Sequence, residues 1–263
     1  MQPGADGAAA PAAAPAPAPA SSARRALELL GAFSKDRHTL SSRELSELTG
    51  IALPTVYRYL ALLRETGFLV GDEKGNYHLS VRLIALAQAA EAADDLVGLA
   101  DPVMRELATA TGETVLLVRL VGNTAVCVHR IESSHRLRLA YEPGQPVSLE
   151  RGASARLLLG SVPEASRRAI VARLAARDPE AARSLDEEVA LARQRGWAVS
   201  REEIDPGIWA AAAAIRDSPG EVLGVLSVPS PLVRAPATAR DRTLDLVRTA
   251  AATVSEAVRA AGR

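Results

Sequence analysis

A single cysteine, Cys127, leaves this 263-residue chain without an intramolecular disulfide. With four scattered histidines it also cannot assemble a thiolate zinc site. No metal or other cofactor is expected, and this cysteine usage suits a reducing cytoplasm. Lysine is almost missing. Lys35 and Lys74 are the two present, which excludes Schiff-base or lysine-base chemistry from residue 75 onward. Net charge is absent too, with 31 basic and 31 acidic residues. A whole-chain polyelectrolyte that coats nucleic acid or an anionic membrane is thereby excluded, and any nucleic-acid contact must come from a local patch. No apolar run reaches the roughly 18 residues of a membrane span. Residues 1–20 lack the basic start and Leu-rich stretch of a signal peptide. There is no Walker loop, no GxGxxG and no HExxH.

At roughly 150 residues per domain, one or two domains are expected. Residues 1–20 hold ten alanines and five prolines and almost no side chain large enough to pack, so they read as a disordered tail. Ser21 or Ser22 can cap a first helix with Ala26, Leu27, Leu30 and Phe33 as its apolar stripe. Ser41 and Glu44 stand at capping-box spacing, Leu45 and Leu48 form the buried face of the helix they open, and Gly50 ends it. Pro54 opens a third helix and Gly67 closes it. Two short apolar segments then flank a turn from Gly71 to Asn76, a hairpin signal. Helix, helix, turn, helix and hairpin over residues 21–80 is the plan of a winged helix-turn-helix. Residues 81–100 read as a linker helix, with Asp101-Pro102 as a fresh helix start.

Residues 101–263 mix strands and helices. Glu113–Leu120 with Thr124–Arg130 form a hairpin, Arg136–Ala140 is a third strand candidate, and Pro143–Gly152 is a loop. Helices are expected at 153–160, 164–176 and 184–195, the last with a Ser184/Glu187 capping box. Strands follow at Trp197–Val199, Ile208–Ile215 and Val222–Val228, the latter two joined by a Ser-Pro-Gly turn, and a final helix runs from 238 to 260. The fold class is α+β with a mostly antiparallel sheet, not a doubly wound nucleotide fold.

The third helix carries the most functional information. At 100° per residue, Val56, Leu60 and Leu63 fall together and are expected inside, whereas Pro54, Tyr57, Arg58, Ala61 and Glu65 point outward. The leading part of such a helix reaches base edges in the major groove. That singles out Thr55, Tyr57 and Arg58. Arg58 has the reach for guanine or phosphate, while Tyr57 and Thr55 can donate to phosphate oxygens. Ser41 and Ser42, at the start of the preceding helix, can offer N–H groups to a phosphate, and Lys74 and Asn76 sit at the wing tip. Against this, residues 21–80 hold eight basic and seven acidic side chains, a weak electrostatic footprint that an ordinary three-helix core also fits.

Several segments in order resemble the IclR family of bacterial transcriptional regulators. They are Arg25–Leu30, Leu45–Gly50, Thr55–Leu60, Thr66–Leu69, Thr111–Thr114, Gly152–Leu159, Gly196–Ala198, Glu203 and Gly207–Ile215, within roughly residues 23–260. The resemblance implies a winged helix-turn-helix, a linker helix and a C-terminal GAF-like α/β effector-binding domain. It also implies double-stranded operator DNA as a partner, homodimers or homotetramers, and control by a small-molecule effector, an organic acid or aromatic catabolite. Two departures stand out. Pro54 occupies a position where the family often has a hydroxyl, and Ser148-Leu149-Glu150-Arg151 replaces a loop that often holds histidine and small residues.

Effector-binding candidates follow from the residues and that resemblance together. Gly152, Ala153 and Ser154 lie where a loop becomes a helix, and the free N–H groups of a first turn suit a carboxylate, with Arg151 or Ser154 completing the seat. An ordinary capped helix with a surface arginine fits the same pattern. Glu203, Asp205 and Trp209 precede the small side chains Ala210–Ala214, which leave room for a ligand or for a close-packed helix. Cys127 lies mid-strand and reads as a buried thiol; the resemblance places its strand at the border of the pocket. No catalytic residue is assigned. Gly152–Arg156 lacks the second glycine of a nucleophile elbow, and Ser154, His129 and Asp205 make a triad on paper alone. The competing functions are a small-molecule hydrolase or sensor enzyme with a vestigial winged helix, and a protein-interaction module.

Overall fold

The computed structural model describes residues 19–262 apart from Lys35, Asp94, residues 137–138, residue 140 and residues 218–220. The chain divides into two compact units, Met1–Ala93 and Asp94–Arg263. Residues 1–18 of the expected Pro/Ala tail, most of the third strand candidate at 136–140 and the Ser-Pro-Gly turn lie outside the described residues, while Pro19 and Ala20 are helical rather than part of a tail.

The first unit contains α1 (Pro19–Gly31), β1 (Thr39–Ser41), α2 (Ser42–Thr49), α3 (Leu53–Glu65), β2 (Leu69–Gly71), β3 (Asn76–Leu79) and α4 (Arg82–Ala93). Its core gathers Ala26, Leu29 and Phe33 from the first helical segment, Leu45 from α2, and Val56, Tyr59, Leu60 and Leu63 from α3. The stripe on α1 therefore runs through Leu29, which is fully buried, and not through Leu27, which is 67% exposed. Leu48, expected inside, is likewise exposed. The α2 start is the expected capping box: the Ser41 hydroxyl accepts from the Glu44 N–H, and the Glu44 carboxylate accepts from the Ser41 N–H at 2.8 Å. Gly50 ends the helix in the left-handed region at φ 68°, where a side chain is disfavoured. The hairpin β2–β3 forms, and β1 adds to it as a third antiparallel strand, giving the order β1-β3-β2.

The second unit contains α5 (Asp95–Thr111), β4 (Val115–Val121), β5 (Thr124–Ile131), β6 (Pro146–Val147), α6 (Ala153–Leu159), α7 (Glu164–Ala175), α8 (Pro179–Arg195), β7 (Trp197–Arg201), β8 (Ile208–Arg216), β9 (Val222–Pro231) and α9 (Ala237–Ala260). Its strands form one six-stranded sheet in the order β6-β5-β4-β9-β8-β7, antiparallel throughout. One sheet face packs on α5 and α9, the other on α6, α7 and α8. Central strands buried on both faces are apolar on both, which is why β8 reads as an unbroken Ile-Trp-Ala run.

Three expected helix starts are displaced. Helix α1 begins at Pro19, so Ser21 and Ser22 lie inside it and do not cap it. Asp101-Pro102 opens nothing, because α5 runs from Asp95 through Pro102. Leu96, Ala100, Met104 and Leu107 make one buried stripe across the proline, and that burial outweighs the ~3 kcal/mol cost of an interior proline. Helix α8 begins at Pro179 with Asp178 as its cap, five residues before Ser184. Ser184 is mid-helix and its hydroxyl turns to Glu188 at 3.2 Å.

Candidate functional site

In the first unit, α3 divides its surface as the helical period dictates. Val56, Tyr59, Leu60 and Leu63 are buried, while Pro54, Tyr57, Arg58, Ala61 and Glu65 are exposed and Thr55 is half-buried. Tyr59 was not anticipated inside. Its phenol meets the Arg58 guanidinium, with Nη2 donating to the hydroxyl at 3.3 Å and the guanidinium carbon 5.1 Å from the ring centre. Hydrogen bonding to Ser22 first, then to Arg58, holds the Tyr59 phenol below its ordinary pKa. Arg58 is thus held through its guanidinium while the residue remains on the exposed face.

The flanking candidates divide by how they are used. Both donors of Ser41, its N–H and its hydroxyl, go to Glu44, at 2.8 and 2.7 Å. Ser42 is half-buried at the first position of α2. Lys74 is exposed at the wing tip. Asn76 braces that tip: Asp72 accepts from its N–H at 2.8 Å and from its side-chain amide at 3.1 Å.

In the second unit, a cavity of about 40 Å³ lies between the sheet, the start of α6 and the loop after β7. Arg151, Gly152, Ala153, Ser154, Glu203 and Asp205 all line it, so six of the eight sequence candidates converge. Leu116, Val118, Ala210, Ser200, Ser227 and Pro229 supply its sheet wall, and Tyr141, Val147, Ile204 and Ile208 add apolar surface. Gly152 has φ 96°, and a Cβ there would meet the Ile204 Cδ1 at 2.8 Å. The backbone angle is what favours glycine, since the Ile204 methyl is the end of a flexible side chain and can move aside.

Glu203 is held at both oxygens. The Gly152 N–H donates to its Oε2 at 2.9 Å, and the Arg156 Nη2 donates to its Oε1 at 2.8 Å. Arg156 also donates through Nε to Glu188 at 2.7 Å. Its Nη1 is buried with no hydrogen-bond partner among the described residues. Burial works against the Arg156 charge, but Glu203 and Glu188 outweigh it and raise its pKa. Burial, with Asp205 and Cys127 nearby, pushes the Tyr141 phenol up.

Two candidates are not brought to the cavity. Trp209 is 5% exposed and packs on the opposite sheet face, among residues of α5 and α9. Strand alternation puts it there: Ala210, not Trp209, faces the cavity. Cys127 is on the cavity side of the sheet but is fully buried and does not line it. Burial pushes its thiol up to about 11. Nor does a triad assemble, since the His129 Nε2 lies 2.8 Å from Asp101 and His129 is absent from the cavity wall. Sequence reasoning missed Tyr141, Arg156, Ser200 and Ser227. Nothing local marks the two strand serines: Ser200 falls one residue past the expected Trp197–Val199 strand, and Ser227 stands in an apolar run whose faces the sequence does not distinguish.

Comparison with known proteins accounts for both units. The family model described as the IclR helix-turn-helix domain matches residues 22–73, and the one described as bacterial transcriptional regulator IclR C-terminal matches residues 88–256. The HTH-type transcriptional regulator KdgR of Dickeya chrysanthemi is 28% identical over 242 residues, covering 90% of this chain and 79% of that protein. A crystal structure of an IclR transcriptional regulator from Silicibacter sp. TM1040 superimposes with TM-score 0.80 at 27% identity, over 90% of this chain and 96% of that one. An IclR homolog from Microbacterium hydrocarbonoxydans, solved as a complex with 4-hydroxybenzoate, shares the fold with TM-score 0.72 at 21% identity, over 91% of this chain and 99% of that one. The winged helix with its exposed α3 face and the antiparallel effector-type domain thus belong to one known architecture, and the chain is a member of the IclR family of DNA-binding transcriptional regulators.

Proposed function

We propose that α3 reads double-stranded operator DNA through Thr55, Tyr57 and Arg58, and that the cavity beside α6 binds a small-molecule effector controlling that reading. The carrying observation is the exposed outer face of the leading half of α3, with Tyr57 at 53% exposure and Arg58 held on Tyr59. Lys74 supplies a backbone or minor-groove contact from the wing. Ser42 offers its N–H to a phosphate. Ser41 and Asn76 contribute by fixing the α2 start and the wing tip, their donors being engaged with Glu44 and Asp72.

The chain acts as a homodimer or homotetramer in the cytoplasm, without catalysis. Support for self-association comes from α4 and its approach, where Val81, Ile84 and Leu86 are 80%, 59% and 48% exposed. Apolar surface left open in that way is a common sign of a protein partner. Support for the non-catalytic reading is the engagement of His129 with Asp101. Support for an effector in the cavity is the convergence of polar groups on a concave, largely apolar space, together with the ligand-bound homolog.

Gel-shift titration on DNA upstream of the chain's own gene tests the reading. Arg58→Ala should weaken specific binding by ~1–3 kcal/mol and relax sequence preference if Arg58 contacts a base, whereas Lys74→Ala should weaken all sequences alike and lower the salt dependence. Absence of retardation at low salt overturns the assignment of α3 as reader.

A further inference from the structure

We infer that the open edge of β7 is a docking site for a second copy of this chain: two β7 strands pair antiparallel about a two-fold axis at Val199 and join two sheets into one. The contact lies wholly in the second unit and does not depend on the exposed side chains of α4.

The backbone carries the first half of the argument. β7 pairs with β8 alone and so forms one edge of the six-stranded sheet. The Ala214 N–H donates to the Gly196 carbonyl at 2.9 Å, and the Glu202 N–H donates to the Ile208 carbonyl at 2.7 Å. In the unbroken register between those bonds, Ala198 and Ser200 bond to β8, while Trp197, Val199 and Arg201 turn their N–H and C=O groups outward. None of these outward groups has a hydrogen-bond partner among the described residues. Natural sheets guard such an edge with shortness, proline, a bulge or a lysine. The opposite edge is guarded in that way, since β6 has two residues and the first is Pro146. β7 has five residues, with no proline, lysine or register shift. Its middle residue, Val199, is 39% exposed. An unguarded edge of this kind is a template for strand addition.

Self-complementarity identifies the added strand. A two-fold axis at Val199 sets Val199 against its own counterpart and Trp197 against Arg201 of the second copy, and each such pair can exchange both backbone hydrogen bonds. Every outward group of both strands is then used. Charge fits the same orientation. Arg193 and Arg195, both exposed and without an ion pair among the described residues, lead into β7. Arg201, at the far end, is offset by Glu202, whose Oε2 lies 3.6 Å from its Nε, and the exposed Asp205 leaves that end acidic. Antiparallel pairing brings the basic end of each strand to the acidic end of the other, whereas parallel pairing would set like against like. A groove of about 170 Å³ lies between β7 and α8, with Val199 and Leu191 among its walls, and Leu191 is 40% exposed. A second copy therefore also covers apolar surface that one chain leaves in water.

Light scattering of the full chain reads the assembly. With α4 joining one pair of chains and β7 another, the wild type should weigh as a tetramer. Val199→Pro deletes an outward N–H and leaves the β8 ladder intact. Val199→Lys keeps that N–H but sets two like charges directly opposite each other. Each variant should halve the mass, with circular dichroism confirming the fold. Amide exchange resolved residue by residue should find Val199 and Arg201 as protected in the wild type as Ala198 and Ser200, and Val199→Lys should remove the protection at Arg201 alone of those last three. Unchanged mass in both Val199 variants overturns the proposal, and so does rapid exchange of Val199 and Arg201 in the wild type. A wild-type dimer that Ile84→Asp with Leu86→Asp splits into monomers also overturns it, while leaving α4 as the assembly surface. Mass lost in the Val199 variants and kept in that α4 variant supports the β7 contact and removes α4 from assembly.

Discussion

A single residue of offset along β8 decides what can touch a ligand. Ala210 lines the cavity, while its neighbour Trp209 is buried against α5 and α9. The aromatic side chain attracts attention in the sequence because it is large, but strand parity, set by pairing such as Ala210↔Pro229, assigns it to the far face. Cys127 makes the same point by depth. It pairs with Val118 in the sheet and is fully buried, so its thiol is inert packing. Its folded pKa of about 11 lies above the ordinary value of 9.0, because burial disfavours the thiolate. A raised acid pKa contributes stability that is complete below the unfolded value and is lost as pH climbs through the folded one. Urea midpoints should therefore fall between pH 9.0 and about 11 in the wild type and fall less in Cys127→Ala. At pH 8 a thiol reagent should label the chain only as it unfolds; rapid labelling of the native protein would contradict the burial.

At the scale of elements, α8 shows where local signals mislead. Ser184 and Glu187 have capping-box spacing, yet the N–H actually capped by a side chain is that of Ala181, at 3.0 Å from Asp178. Pro179 follows directly, well suited to a first helical position. Asp178→Ala should cost ~1 kcal/mol in chemical denaturation. Ser184→Ala, which removes only an exposed contact to Glu188, should change stability by less than about 0.5 kcal/mol. Reversal of that order would restore Ser184 as the cap. The same contrast explains how much of the molecule the sequence discloses. Short-range chemistry is legible: the Ser41/Glu44 box, the Gly50 terminus, the α3 stripe and the β4–β5 hairpin all follow from neighbours within a turn or two. Features set by distant partners are not. Continuation of α5 through Pro102 depends on a sheet and on α9, β1 finds β3 across two helices, and Arg156 meets Glu203 from 47 residues away. The cavity was half legible for that reason. Its loop and helix-start residues form local motifs, whereas Ser200 and Ser227 join it only through the register of a sheet.

At the scale of the whole molecule, each unit has its own apolar core. The winged helix is built around Leu29, Leu45 and Leu60, and the second unit is built on both faces of its sheet. The cavity is lined entirely by residues 116–229, within the second unit, so ligand binding needs no residue of the reader. Assembly, by contrast, is argued from α4, whose Ile84 and Leu86 stay exposed on a helix with a single charged residue, Arg82, in its described side chains. If those side chains hold two copies together, two readers engage one operator, and linkage supplies affinity beyond either alone. Ile84→Asp with Leu86→Asp should therefore lower the mass measured by light scattering. It should also cost operator binding at least about 100-fold, because the second half-site contact becomes bimolecular. Calorimetric affinity for the cavity ligand should stay within about twofold of wild type, since no lining residue is touched. An unchanged mass with unchanged operator affinity would free α4 of any role in assembly. Lost mass with retained operator affinity would mean that one reader alone supplies the binding.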